Sequence, residues 1–570
     1  MQDASPSASE SPKLFPIGLL VLVAAVFAVF LPTLHSPLVF DDPISVAHAK
    51  SFTSWKDIFG PDAFRLFRPV KNLQGWLMVK TGSNLPLWHS INIIAYALAA
   101  CSVAELTRKL LGSARWGIAA GALWAFSATG VSTAVWLSCL NISIAVMAAT
   151  LAVGMHLENS VRDRGVRWNL AAAFCWLIAL LCYETAVAVA PLIVVLDWTH
   201  GRRIFSKQSL LRYAAFGLAG VIWFTLRTSS GAILSGSAGE VSFPPETPAW
   251  QIAVSAPYFL LTHLMMWVAP AGKIEFMSSY VWNESIPSIV HPFCWIILAA
   301  LILAAFALRK RSPVASFGLF WFLIASVPSG NFVPLRNTPF ADYYVPFPSI
   351  GLALVLVAAL RGLFVLRADD MLGSGQRRLI LVLAFGLIGG RAFQLPAFWH
   401  WIQTWQTPLL VITESCLVRP KQYFAKSGIA EMMLSVGILE IAEQAMPVMI
   451  LADIADKTGR EEEAIAGFET ALDLKHASYR TLEYCNLRLG QILGRKPGQL
   501  DKAMYYLRQV LLRHHSVHHE EAAIAAVQVL EVNGRRKEAL ETVHKGLGYH
   551  PGSLKLQELL KRFETDSGKP

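Results

Sequence analysis

Up to about residue 398 the chain alternates long apolar runs with short polar breaks, and beyond it the pattern turns amphipathic and charged. A spanning helix needs about 20 apolar residues, fewer when it is tilted into a bundle or broken. By that measure the runs predict eleven spans: 14–34, 86–106, 115–131, 140–157, 168–182, 185–198, 209–226, 289–308, 315–328, 345–366 and 377–397. Counting a twelfth stretch, 251–269, as a crossing would turn Arg309, Lys310 and Arg311 outward. It therefore reads as an interfacial or re-entrant helix on the outer side. Residues 1–13 form a polar cytoplasmic tail. The run from Leu14 is too long for a signal-peptide core and has no small-x-small cleavage site, so it reads as a retained anchor.

Basic residues set the sidedness. "LTRKLLGSAR", "RDRGVR", "HGRRIFSKQSLLR", "ALRKRS" and "LRADDMLGSGQRR" are the charged loops. With these cytoplasmic, the outer side collects the loop bearing Asp41 and Asp42, the turn at Tyr183-Glu184, the loop "NFVPLRNTPFADYY" and everything after 397.

The amphipathic part, 399–565, contains an internal repeat. "GREEEAI", "GQLDKAM" and "GRRKEAL" begin at Gly459, Gly498 and Gly534, 39 and 36 residues apart, and each places an alanine (Ala464, Ala503, Ala539) five positions after its glycine. Helix-turn-helix repeats of the tetratricopeptide (TPR) type have a period of about 34 residues. The glycine opens a turn and the alanine lets two helices approach, which predicts an α-solenoid with a protein-binding concave face.

Composition fits this division. The chain has 570 residues, 54% hydrophobic and 15% charged, with net charge +10 and mean hydropathy +0.46. That charge is spread over short loops, and no basic stripe interleaved with aromatics marks a nucleic-acid groove. The seven cysteines form no CxxC pair, and most lie in or beside apolar runs, so they read as buried apolar residues. "RHHSVHHEE" offers His514, His515, His518 and His519 with no third type of metal ligand, and no metal site is assigned to it.

Several stretches carry a resemblance to a family. They are "FDDP" after the first span, "FRPVKNLQGWL", "NLPLWHSINIIAYALAACSVAELTRKLLG" with His89 and Asn92, "YETAVAVAPLIVVLDW", and "VPSGNFVPLRNTPFADYYVPFPSIGLAL". In order and spacing they resemble the polytopic GT-C-type glycosyltransferases with TPR repeats, such as the transmembrane-and-TPR O-mannosyltransferases and their bacterial relatives. The resemblance implies an all-α protein: a GT-C-like membrane bundle over 14–398, then an extracytoplasmic TPR-like domain. It also implies a polyprenyl-phosphate-linked sugar as donor and a hydroxyl on protein or glycan as acceptor. No cofactor is firmly implied, and a divalent metal requirement stays open. The expected partners are the bilayer, the lipid-linked sugar and a protein bound by the repeats. The expected location is a bacterial inner membrane with periplasmic repeats; an endoplasmic-reticulum membrane with lumenal repeats is the alternative.

Such a transfer needs a carboxylate for the acceptor hydroxyl and cations for the departing phosphate. Asp42 or Asp41 is the candidate base, since two close carboxylates repel and one gains a raised pKa. A solvated loop start would look the same. Glu184, at membrane depth, is a candidate for orienting substrate or a structural ion pair. Arg336 and Arg68 are the phosphate candidates, with Arg65 and Arg227 behind them; each could instead be an interface anchor. His89 could bond a phosphate or sugar, and Asp342 is a substrate-binding candidate that could instead pair with one of the arginines. The family's acidic residue before its "GR-x-D" element appears here as Ser132, and within that element the Gly-Arg appears as Cys139-Leu140 and the acid is lost near Asn141 or Ile142. "ERY" reads Asp342-Tyr343-Tyr344, without its arginine. Two other readings stay open. One is a non-catalytic membrane-anchored TPR scaffold, the other an O-antigen-ligase-like glycan transferase.

Overall fold

The computed structural model describes residues 13–36, 38–39, 41–232, 248–268, 287–332, 341–368, 394–405, 459–473, 479–512 and 518–566, with isolated positions between 375 and 389 and between 449 and 456. Every regular element among the described residues is a helix. The chain divides into two compact units, 1–422 and 423–570. The division falls later than the expected step at 398/399 because residues just past that step are tied into the first unit. Trp401 Nε1 donates to Asp342, and the Trp405 carbonyl accepts from Ser36 Oγ.

The first unit contains α1 (Leu14–Phe30), α2 (Asp41–Lys50), α3 (Pro69–Lys80), α4 (Leu85–Leu111), α5 (Ala114–Ala125), α6 (Val131–Val135), α7 (Leu140–Arg162), α8 (Val166–Cys182), α9 (Val189–Thr199), α10 (Lys207–Ser229), α11 (Ala249–Val268), α12 (Val290–Leu308), α13 (Pro313–Ser326), α14 (Pro346–Ala368) and α15 (Gln394–Thr404). Seven of the described helices are long and apolar enough to cross a membrane: α1, α4, α7, α10, α11, α12 and α14. The protein is an integral membrane protein. An eighth span exists if α5 and the stretch leading into α6, bent by 67°, count as one. The expected eleven are thus not all met. The run at 115–131 breaks after α5, the run at 185–198 yields only the 11-residue α9, and 377–397 lies largely outside the described residues. The apolar α8 and α13 are 17 and 14 residues long.

Helix ends follow local chemistry. Asn84 Oδ1 caps α4 by accepting from Leu87 N–H, Pro86 sits in its first turn, and Gly112 closes it at φ 66°. Close approach is set by glycine where α4 meets α5. A Cβ at Gly121 would stand 2.7 Å from the Ala100 carbonyl.

Short connections sort the loops onto two faces. Hairpins α4–α5, α7–α8 and α12–α13 turn at one face, where Arg309 Nε donates to the Trp198 carbonyl and Arg361 to that of Leu111. The other face collects α2 and α3, the 126–139 segment, the α8–α9 apex and the turn before α14. All contacts of α11 named here lie at this second face. Its Val254 carbonyl accepts from Trp295 in the first turns of α12, and its last carbonyls accept from Gln394 at the start of α15. Although α11 meets the length and apolarity of a span, these contacts suit a helix lying along one face.

The second unit is a stack of helices α16 (Glu461–Asp473), α17 (Tyr479–Leu493), α18 (Leu500–Leu511), α19 (His519–Val532), α20 (Arg536–Tyr549) and α21 (Leu554–Asp566), each packed on the next. Gly459, Gly498 and Gly534 have φ 77°, 76° and 73°, the left-handed region where a side chain is strained. Ala464, Ala503 and Ala539 are each fully buried. The repeat expected from sequence is present, and its glycines precede α16, α18 and α20.

Candidate carboxylate site at one face of the bundle

Asp41 and Asp42 open α2, where a helix N-terminus favours negative charge. Their surroundings differ. Asp42 is buried, 4% exposed, and its Oδ1 accepts from the Ser138 amide at 2.8 Å and the Ser138 hydroxyl at 2.6 Å. Its Oδ2 accepts from the Val39 amide at 3.3 Å. Burial raises the Asp42 pKa to about 7, outweighing the bonds from Ser138 and Val39, and the neighbouring Asp41 adds to the rise. Asp41 has a side chain 24% exposed, and Lys71 Nζ lies 3.6 Å from its Oδ2. Lys71 itself is 4% exposed and stands 4.9 Å over the Phe64 ring.

The loop before α2 is held from several directions. His89 Nε2 donates to the Ser36 carbonyl at 2.8 Å, and Trp136 Nε1 to that of Val39 at 3.3 Å. Asn92 Nδ2 donates to the Ala134 and Trp136 carbonyls, and Gln74 Nε2 to that of Leu137, so α3 and α4 fix the strand of chain carrying Ser138. His89, at 2% exposed, is therefore a buried strut of this loop.

Arg68 and Glu184 meet in a bidentate pair. Arg68 Nε donates to Oε2 at 2.8 Å and Nη2 to Oε1 at 2.7 Å, and the guanidinium lies 5.4 Å over the Tyr183 ring. Burial alone would raise the Glu184 pKa, but the Arg68 guanidinium, with Arg227 adding to it, holds it below the usual carboxylate range. Glu184 is thus an ionised anchor between α3 and the α8–α9 apex.

Asp342 is fully buried and accepts from the Ser132 hydroxyl and, at 3.1 Å, from Trp401 Nε1. Burial raises its pKa to about 7 against both bonds. Asp342 carries two readings, substrate contact or an arginine pair, and no arginine appears among its described contacts. Ser132, which stands where the family has an acid, is instead its donor. Asn141, at the other lost acid, donates to the Cys182 carbonyl at 2.8 Å. Burial raises Tyr344 to about 12, with the charges of Glu184 and Asp41 adding to the rise and Arg68 opposing it.

Of the sequence-predicted residues, the structure brings together Asp41, Asp42, Arg68 and Glu184 on one face, with Asp342 near. Arg336 lies outside the described residues. Arg227 is 8% exposed and stands 5.3 Å from the Trp223 ring. Arg65 takes a left-handed φ of 63° in the loop closed by Asp62. Sequence reading passed over Lys71, Ser138 as an Asp42 donor, and Trp401. For Lys71 a signal existed: with Arg68 it places two cations three residues apart in a loop expected on the outer side. The described residues hold no group of three or more metal-ligating side chains. His519 Nδ1 lies 2.9 Å from His550 Nε2, and His514 and His515 fall outside the described residues.

No protein-family model and no curated protein matches the chain. Among solved structures it is similar to the oligosaccharyltransferase AglB of Archaeoglobus fulgidus in complex with an inhibitory peptide and a dolichol-phosphate, at 13% identity and TM-score 0.37, over 67% of this chain and 56% of that one. A second structure of the A. fulgidus oligosaccharyltransferase, tethered to an acceptor peptide with the NVT sequon, gives 14% and 0.39, over 69% and 55%. The chain thus spans little more than half the length of those enzymes. The Cut9–Hcn1 hetero-tetramer of the APC/C gives 14% and 0.22, over 91% and 98%. Scores this low leave the functional argument to the site itself.

Proposed function

We propose that the protein is a membrane glycosyltransferase that moves a sugar from a polyprenyl-phosphate-linked donor to a hydroxyl of protein or glycan on the extracytoplasmic face. The carrying observation is the divided carboxylate pair: Asp42 buried and triply bonded, Asp41 part-exposed beside Lys71. That division supports two roles. Asp41 takes the proton of the acceptor hydroxyl, and Asp42 positions Asp41 and tunes its charge. The acceptor oxygen attacks the anomeric carbon opposite the phosphate. The carbon–oxygen bond to phosphate breaks, and the lipid phosphate leaves with the electron pair. Among the described residues Lys71 is the cation paired with Asp41 and takes that developing charge, with Arg68 beyond its bonds to Glu184 as a second donor. The cations gathered at the opposite face, such as Arg162, Arg202 and Arg309, support the extracytoplasmic assignment through the positive-inside trend.

The test is transfer of labelled sugar from polyprenyl-phosphate donors by membranes holding matched amounts of wild type, Asp41→Asn and Asp42→Asn. Asp41→Asn is expected to abolish transfer. Equal transfer by wild type and Asp41→Asn would remove Asp41 as the base, and equal transfer by Asp42→Asn as well would remove the carboxylate pair from the reaction.

One observation favours a second reading, a membrane-anchored scaffold. Ser132 and Asn141, at positions charged in the family, now make internal hydrogen bonds. Absence of transfer by wild type with every donor class tried would favour that reading.

A further inference from the structure

His263 lies on α11 and is fully buried, and neither Nδ1 nor Nε2 takes part in a hydrogen bond. Its ring stands edge-on to Tyr344, with centroids 6.1 Å apart and planes at 80°. The helix touches the Asp342–Tyr344 turn, and the charges of Arg68, Glu184 and Asp41 act on the Tyr344 hydroxyl. Buried polar atoms in native proteins are nearly always paired. An apolar residue would fill this place without the cost of two unmet nitrogens.

We infer that His263 contacts the sugar of the lipid-linked donor, an inference that rests on the proposed transfer. The ligand class follows from what the ring lacks. A neutral imidazole offers one N–H donor and one lone-pair acceptor on different edges. A phosphodiester has acceptors only and would satisfy one edge. A prenyl chain would satisfy neither. A sugar with neighbouring hydroxyls supplies donor and acceptor together, so the ring reads hydroxyls and leaves phosphate to Lys71 and Arg68. Because α11 and Tyr344 cover the ring, the sugar meets it when α11 shifts from the Asp342–Tyr344 turn. His263 is then a specificity residue carried on a movable helix.

The experiment uses the full chain in nanodiscs. His263→Phe and His263→Leu are expected to raise the donor KM about tenfold, the size of one or two lost hydrogen bonds. They should leave the acceptor KM unchanged and raise the Tm, because they remove unmet polar atoms. His263→Gln, which keeps a donor and an acceptor, should restore most of the donor affinity. Donors lacking single hydroxyls give a second readout. One deoxy position should cost wild type about tenfold, cost His263→Gln measurably, and cost His263→Phe and His263→Leu nothing further. If the apolar variants fail to fold, the deoxy series on wild type and His263→Gln still decides. Deoxy donors that all behave like the parent on wild type overturn the inference, as does an unchanged donor KM in a folded apolar variant. If Asp41→Asn abolishes transfer while His263 variants do not respond, only this inference falls. If Asp41→Asn transfers normally, the reading beneath it falls first.

Discussion

At the scale of single residues, the neighbouring carboxyls Asp41 and Asp42 are separated by what surrounds them. The Ser138 amide and hydroxyl and the Val39 amide all donate to Asp42, yet burial still lifts it to about 7. Ionising Asp42 puts a second negative charge at the face where the acceptor hydroxyl gives up its proton, so transfer should rise with pH through about 7. Asp42→Asn should flatten that limb and lower the plateau about tenfold, read from initial rates between pH 5.5 and 8.5. The same shift, with that of Asp342, fixes a stability trend. Each carboxyl has a folded value of about 7 against a usual 3.8, so it binds a proton more tightly in the fold. Its contribution is complete below about pH 4 and is lost as pH rises through about 7, at most ~4 kcal/mol per group. The Tm in detergent should therefore fall between pH 5 and 8, and Asp342→Asn should reduce the fall. A wild-type Tm that rises over this range would contradict the assignment. The acidic pair was legible in "FDDP", but its division of labour was not. The donors that separate the two acids come from Ser138, 96 residues away, and no local pattern announces that contact.

At the scale of elements, tertiary contacts decide what local sequence leaves open. Arg68 and Glu184 were each readable as functional or as anchors. Their bidentate pairing makes them a tie between α3 and the α8–α9 apex. Removing one partner leaves the other charge part-buried and unpaired, so Glu184→Gln should cost about 2 kcal/mol, less than a fully buried pair because both side chains retain some exposure. The double replacement Arg68→Met with Glu184→Leu should cost less than either single change, a non-additivity measurable by thermal unfolding. The run at 115–131 looked like a straight span because apolarity continues through it. The chain instead bends after α5, and the Tyr96 hydroxyl donates to the Ala125 carbonyl at the break. Hydropathy counts apolar length but does not see a side chain that stabilises a break. The repeat helices were far more legible, because a glycine with positive φ and an alanine five residues on leave a period in the sequence itself. Gly498→Ala should cost about 1 kcal/mol through backbone strain. Ala503→Leu should cost 1–3 kcal/mol or more through overpacking (about that range for inserted methylenes).

At the scale of the whole molecule, the two units have separate hydrophobic cores. One is built on residues such as Trp124, Phe317 and Trp321, the other on Phe468, Leu489 and Leu507. Among the described residues none belongs to both cores, so the energetic effects of packing defects in the two should add. This separability gives a test of the division of work. The fragment 423–570 should be soluble and helical and should melt cooperatively, with Gly498→Ala lowering its Tm by about 4 °C. In the full chain the same substitution, or Ala503→Leu, should leave transfer to a short soluble acceptor unchanged, because the carboxylate face is built entirely within 1–422. Transfer to a folded protein acceptor should fall, because the protein-binding concave face expected of the repeats is the surface that would present it. Equal loss with both acceptors would mean that the repeats support the reaction face itself, and the division into a transferring bundle and a recruiting solenoid would have to be given up.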